Sequence, residues 1–264
     1  MEEEKKMSFL EHLEELRWRL VRCAVSILIF SIAIWSYQGW ILRNVFMSMS
    51  KSDFITFRFL CKNFGICTEE IDISLVSTSL SGQFSYALMM SVMGGVVISF
   101  PYIFYQLWSF VKPALKQNER SVASGIVFYV SLLFFLGIAF GYLVVAPLCV
   151  QFFALFKITD EIQNMPTISS YMGLILSTIF YTGLFFLLPV VSYLLAKLGI
   201  VTASFLRKYR KHAIVGVLIL AAVITPPDLL SQVIVSIPIL LLYEIGILVV
   251  ARVEKNRRKL EEQQ

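Results

Sequence analysis

The longest stretch without a charged residue runs from Ile73 to Val111, 39 residues, and it leaves few choices of fold. Two more follow, Ser121–Phe156 and Ile162–Ala196, and Cys23–Trp40 precedes them. About 20 apolar residues in a helix cross the hydrocarbon of a bilayer. The chain is 58% hydrophobic and 16% charged, against roughly 45–50% and 25% in soluble domains. This composition excludes a disordered chain, a nucleic-acid-binding domain and an ordinary soluble enzyme. Continuous apolar runs also exclude an alternating-strand barrel.

The expected architecture is therefore an all-α membrane domain over residues 1–264. Spans fall at about 20–40, 84–111, 123–148, 169–196, 211–226 and 229–251. The last two form a short hairpin turned at Pro226–Pro227, where proline stops one helix and Asp228 can cap the next. Ala213–Ile224 offers only 12 apolar residues, roughly 18 Å of helix. Either that span begins further back, among charges, or the bilayer thins around it. Residues 41–83 make a long outer loop expected to cap the outer surface, and 254–264 a flexible tail. "MEEEKK" is acidic where a secretion signal is basic, so the first span is expected to stay in the chain.

Lysine and arginine set the orientation. Eighteen of the 23 lie in the N-terminal segment, the 112–120 and 197–211 loops and the C-terminal tail, and five on the other side. Six crossings with that bias place both termini in the cytoplasm. Cys61 and Cys67 share the outer loop and can pair if it faces an oxidising compartment. Cys23 and Cys149 sit in apolar runs as small hydrophobes.

The chemistry of enzymes is missing. There is no GxxxxGK[ST], no HExxH and no GxSxG, and the histidines are His12 and His212 alone. No catalytic residue, metal or cofactor is expected. Four features remain. Ser8 and Glu11 have capping-box spacing, and Phe9, Leu13, Leu16 and Leu20 form one apolar stripe, as on an interfacial helix. On that helix Glu15 and Arg19 read as an i, i+4 pair. Glu119 is the one acid of the 112–120 loop, beside Arg120. Two such carboxylates suit a ligand with two guanidinium groups. Glu244 lies within the last span, either as a functional acid or close to the cytoplasmic interface. Gln106 and Gln232 are milder cases. Gly137 and Gly141 are expected to pack internally.

"HLEELRWRL" (His12–Leu20), "FPYIFYQLWSFVKPALKQNER" (Phe100–Arg120), "ITPPDLLSQ" (Ile224–Gln232) and "YEIG" (Tyr243–Gly246) together resemble the TatC family, the multi-spanning subunit of the twin-arginine protein translocase, over about residues 8–253. The resemblance implies a protein of the bacterial inner membrane that recognises paired-arginine signal peptides on folded cargo. It implies TatA- and TatB-type single-span partners, assembly of several copies in the bilayer, and transport driven by the proton-motive force. By motif, Glu15 and Glu119 match the signal-binding acids, and Arg17, Trp108, Phe110 and Leu115 the residues around them. Asp228, Gln232 and Glu244 match the final hairpin, where the small partners dock, and Gln106 is a further candidate for a partner contact. Many members of that family carry Glu or Gln in span four where this chain has Leu187. The alternatives are a proton-coupled transporter using Glu244 and a membrane scaffold that is no receptor.

Overall fold

A computed structural model describes residues 9–65, 75–111, 123–157, 159, 165–224 and 229–261. The described chain is almost wholly helical; its one strand-like pairing is the parallel bridge between Val76 and Thr167. It divides into two compact units, residues 1–39 with 87–132 and residues 40–86 with 133–264. Five helical stretches are long and apolar enough to cross a membrane, Leu13–Ser36, Gly82–Phe110, Gly125–Leu155, Ile168–Lys197 and Val235–Arg257.

The first unit is built on α1 (Phe9–Ser36), most of α4 (Gly82–Val111) and the first half of α5 (Ala123–Phe140). The charged N-terminal stripe and the first span are thus one continuous helix. Its apolar stripe is not covered by protein, for Leu13 and Leu20 are 46% and 53% exposed. Leu28, Ile29 and Ile32 are exposed as well, which suits a helix solvated by lipid. With no apolar gain from hiding leucine in lipid, helices associate where small residues let backbones approach. Here Gly94 and Gly95 supply that approach. A β-carbon on Gly95 would lie 2.8 Å from the Ile27 carbonyl oxygen and 3.0 Å from the Ser31 nitrogen, and one on Gly94 would meet Ile34.

The second unit contains the rest. Between α2 (Gln38–Ile41) and α3 (Ile55–Phe64) the chain makes a π turn over Leu42–Phe46 and a 3-10 turn over Met47–Ser50. The buried side chains of Phe46, Met49, Phe54 and Phe57 hold this outer segment down. Polar anchors add to them. Tyr142 Oη donates to Val45 O at 3.0 Å and Tyr171 Oη to Phe46 O at 2.8 Å. Gly65 closes α3 at φ +70°, a left-handed cap that costs glycine little. Cys61 is disulfide-bonded, Cys67 lies outside the described residues, and Cys23 and Cys149 are buried thiols.

Prolines shape the next two spans. α5 (Ala123–Phe140) passes through a π turn, Gly141–Val145, into α6 (Ala146–Leu155), where Pro147 occupies the first turn. Pro147 has no N–H for the Leu143 carbonyl four residues back, and the Thr56 hydroxyl donates to that oxygen. The fourth span, expected at 169–196, corresponds to Ile168–Lys197 and contains a turn at Phe186–Leu187. α7 (Ile168–Phe185) ends, and α8 (Leu188–Lys197) begins with Pro189 in its first turn. Leu187 sits at this break, its N–H bonded to Leu184 O at 3.0 Å. The glycine pair of α5 packs internally as expected: a β-carbon on Gly137 would lie 2.8 Å from Gly183 Cα, and one on Gly141 3.0 Å from Ile179 Cα.

α9 (Ala203–Lys208) leads into α10 (Arg210–Ile224) and α11 (Leu229–Glu261). α10 does start further back than the apolar run, at Arg210, yet its 15 residues span only about 22 Å. Val217 and Ala221 of α10 pack with Val235 and Ile239 of α11 against Val145 and Cys149. Residues from Glu254 were expected to be a flexible tail; α11 instead continues through them to Glu261. Glu254 explains part of that order, since its carboxylate accepts from the Ala203 N–H at 3.1 Å and caps α9.

Gly95→Ala and Gly137→Ala should each lose about 1–3 kcal/mol through overpacking at a backbone contact. Gly216, with nothing within 4 Å of its added β-carbon, is the control. Thermal unfolding in detergent should fall for the first two and stay level or rise for Gly216→Ala.

Candidate functional site

The α1–α4 contact at Gly94–Gly95 carries a polar cluster further along the same pair of helices. Glu15 and Arg19 stand one turn apart on α1. Arg19 Nε donates to Glu15 Oε1 at 2.9 Å and Nη2 to the same oxygen at 2.5 Å. The remaining guanidinium nitrogen, Nη1, reaches α4 and donates to Gln106 O at 3.3 Å and Gln106 Oε1 at 3.2 Å. Arg19 and Glu15 keep 19% and 27% of their side-chain surface, while Gln106 is buried. The i, i+4 pair is therefore real, but it is one side of a three-residue bridge. Glu15 Oε2 has no hydrogen-bond partner among the described residues.

The neighbours divide by exposure. Arg17 points outward, 3.5 Å from Glu14 and stacked 5.7 Å from the Trp18 ring. Trp108 is buried, and its Nε1 has no partner in the described structure. Its ring closes a column with Phe104 at 6.3 Å, which in turn stacks on Phe100 at 6.2 Å. Phe110 is half-buried in the last turn of α4. Leu115 and Glu119 lie outside the described residues, as does Asp228.

The other candidates lie in the second unit. Glu244 of α11 is 2.7 Å from Arg210 at the start of α10, with 47% and 48% of the side chains exposed. Glu244 is thus a paired acid rather than a lone one, within the Val235–Arg257 stretch. Beside it, Tyr243 Oη donates to Leu206 O at 2.8 Å. Gln232 Nε2 donates to Leu218 O at 2.9 Å and clasps the hairpin. Gln106 had been grouped with partner contacts on sequence grounds; it stands at the Glu15 cluster. No sequence signal pointed to that placement, because 87 residues separate it from Arg19.

A multi-pass helical membrane protein is the class these features define, with Glu15 of its first helix paired to Arg19. A family model described as Sec-independent protein translocase protein (TatC) matches residues 11–238. The chain is 36% identical to the Sec-independent protein translocase protein TatC of Blattabacterium sp. subsp. Periplaneta americana, over 97% of this chain and 99% of that protein. It is 34% identical to TatCy of Bacillus subtilis over 92% and 89% of the two chains. A crystal structure of the twin-arginine translocase receptor TatC superposes with a TM-score of 0.70 at 29% identity, covering 92% of this chain and 99% of that one. A second, in DDM, gives 0.73 over 90% and 98%. The chain belongs to the TatC family.

An exposed ion pair is worth about 0.2–1 kcal/mol, and a buried one broken on one side costs about 3–5 kcal/mol. A double-mutant cycle of Arg210→Gln with Glu244→Gln, read by unfolding in detergent and in lipid bilayers, should give a coupling below ~1 kcal/mol in both. A much larger coupling in bilayers would place the pair within the hydrocarbon.

Proposed function

We propose that this chain is the cargo-receptor subunit of a twin-arginine translocase in a bacterial inner membrane. The observation that carries the reading is the Glu15 carboxylate. It already accepts a guanidinium on one oxygen, and its other oxygen is without a partner among the described residues. Glu15 and, by its motif, Glu119 take one arginine each of a paired-arginine signal. Arg17, Trp108, Phe110 and Leu115 frame them.

A charge-assisted hydrogen bond contributes about 1.5–3 kcal/mol, less where water competes. Two such contacts support micromolar rather than nanomolar binding. Weak binding suits a receptor that releases its cargo. An ammonium cannot make the planar fork of a guanidinium, so lysine pairs bind less well. The proton-motive force, not a reaction at a catalytic centre, supplies the work. TatA- and TatB-type single-span partners dock on the final hairpin, where Gln232 and Glu244 lie and to which Asp228 belongs by its motif. Several copies assemble around the cargo.

The topology proposed with this function has six crossings and both termini in the cytoplasm. The eighteen-to-five distribution of Lys and Arg supports it, and the short α10 is the fifth crossing. On a Cys23→Ser, Cys149→Ser background, a cysteine placed at Gly199 should resist a membrane-impermeant thiol reagent in intact cells, and one at Asp53 should react. Labelling of both would overturn the orientation.

The function is tested by binding of fluorescent signal peptides to the purified full chain in detergent. An Arg-Arg peptide should bind at least tenfold more tightly than its Lys-Lys counterpart, and Glu15→Gln with Glu119→Gln should remove the difference. Equal binding of the two peptides, or an unaffected double variant, would place the site elsewhere.

A further inference from the structure

The cluster at Glu15 has a feature that a plain receptor carboxylate lacks: an arginine of the same chain already sits on it. Arg19 gives Glu15 Oε1 two hydrogen bonds, from Nε and Nη2, at 2.9 and 2.5 Å. This is the chemistry that a cargo arginine would bring. A bidentate guanidinium needs both oxygens of a carboxylate, and here only Oε2 stands open. A full fork from outside therefore requires Oε1 to be vacated.

The structure also shows where Arg19 stays when it yields. Its Nη1 is bound across the helix pair to both oxygens of Gln106, at 3.3 and 3.2 Å, and Gln106 is buried on α4. Leaving Glu15 does not strand the guanidinium, because one edge keeps its acceptors and the other meets water. Exchange of one guanidinium for another on Glu15 then has nearly balanced bonding.

Building on the receptor reading above, we infer that Arg19 is a resident occupant of the cargo site. It holds Glu15 in the empty receptor and is displaced by the incoming arginine, so it lowers the affinity for every arginine signal by the strength of its own contact. The pair is partly exposed, which limits that contact to a factor of roughly two to five. A competitor of this kind weakens the ligands that need both oxygens of Glu15, and so sets the threshold of binding for arginine signals.

The test uses the full chain in detergent and the fluorescent Arg-Arg peptide. Arg19→Gln should bind the peptide about two- to fivefold more tightly. Arg19→Lys keeps the charge but loses the Nε and Nη2 fork, and should bind about twofold more tightly. Weaker binding by either variant, with the size-exclusion profile and melting temperature retained, overturns the inference and makes Arg19 a positioning residue that holds Glu15 for cargo. Tightening in Arg19→Gln with no change in Arg19→Lys also overturns it, because loss of a positive charge alone would then account for the gain. Should Arg19→Gln not fold, Arg19→Lys decides by itself. Glu15→Gln is measured alongside: unchanged binding there removes Glu15 from the cargo site, and the receptor reading falls together with the occupant.

Discussion

Close backbone approach at glycine is the interaction on which the rest of this molecule depends. Lipid chains solvate leucine as well as a neighbouring helix does, so burial of apolar side chains cannot by itself hold spans together. Contact at Gly94 and Gly95 brings α4 to the backbone of α1 near Ile27 and Ser31. Contact at Gly137, Gly141 and Gly183 does the same between the α5 region and α7. The first contact sets the separation at which the Arg19 side chain spans from Glu15 to Gln106. A wider crossing would leave Gln106 buried with its acceptors unused, and a rigid scaffold would become a loose pair of rods.

The second constraint is the fate of carbonyls freed by proline. Hydrocarbon holds no water to satisfy them. At Pro147 the chain meets this with a side chain from elsewhere in the same unit. Thr56 serves the Leu143 carbonyl opposite Pro147. The turn at Phe186–Leu187 lets Pro189 begin a helix rather than interrupt one. The long outer segment thereby has a structural role, since its Thr56 donates to the Leu143 carbonyl of the span.

Much of this was legible in the residues. Uncharged runs located the long helices, because the cost of a charge in lipid keeps Lys, Arg, Asp and Glu at their ends. The shortness of the fifth helix followed from the distance between Lys211 and Pro226, and the internal packing of Gly137 and Gly141 from their spacing. Glu15 was legible by motif and by its i, i+4 partner. What stayed hidden depends on contacts between distant segments. Gln106 in sequence is one glutamine in an uncharged run, and nothing local tells that it faces Arg19. Arg210 was counted among loop cations, while its pairing with Glu244 arises only when α10 folds back on α11. The break at Leu187 was masked by an unbroken apolar run, for hydropathy does not register where a helix stops.

The continuation of α11 to Glu261 has a mechanical consequence. Its 33 residues measure about 50 Å, against ~30 Å of hydrocarbon. The helix is thus about 20 Å longer than the hydrocarbon requires, and within its last turns Glu254 holds the start of α9. Arg252, Lys255 and Arg257 lie at fixed intervals along it. Whatever meets this part of α11 meets a stiff, positively charged helix, whose side chains are spaced by helical rise rather than by the slack of a tether.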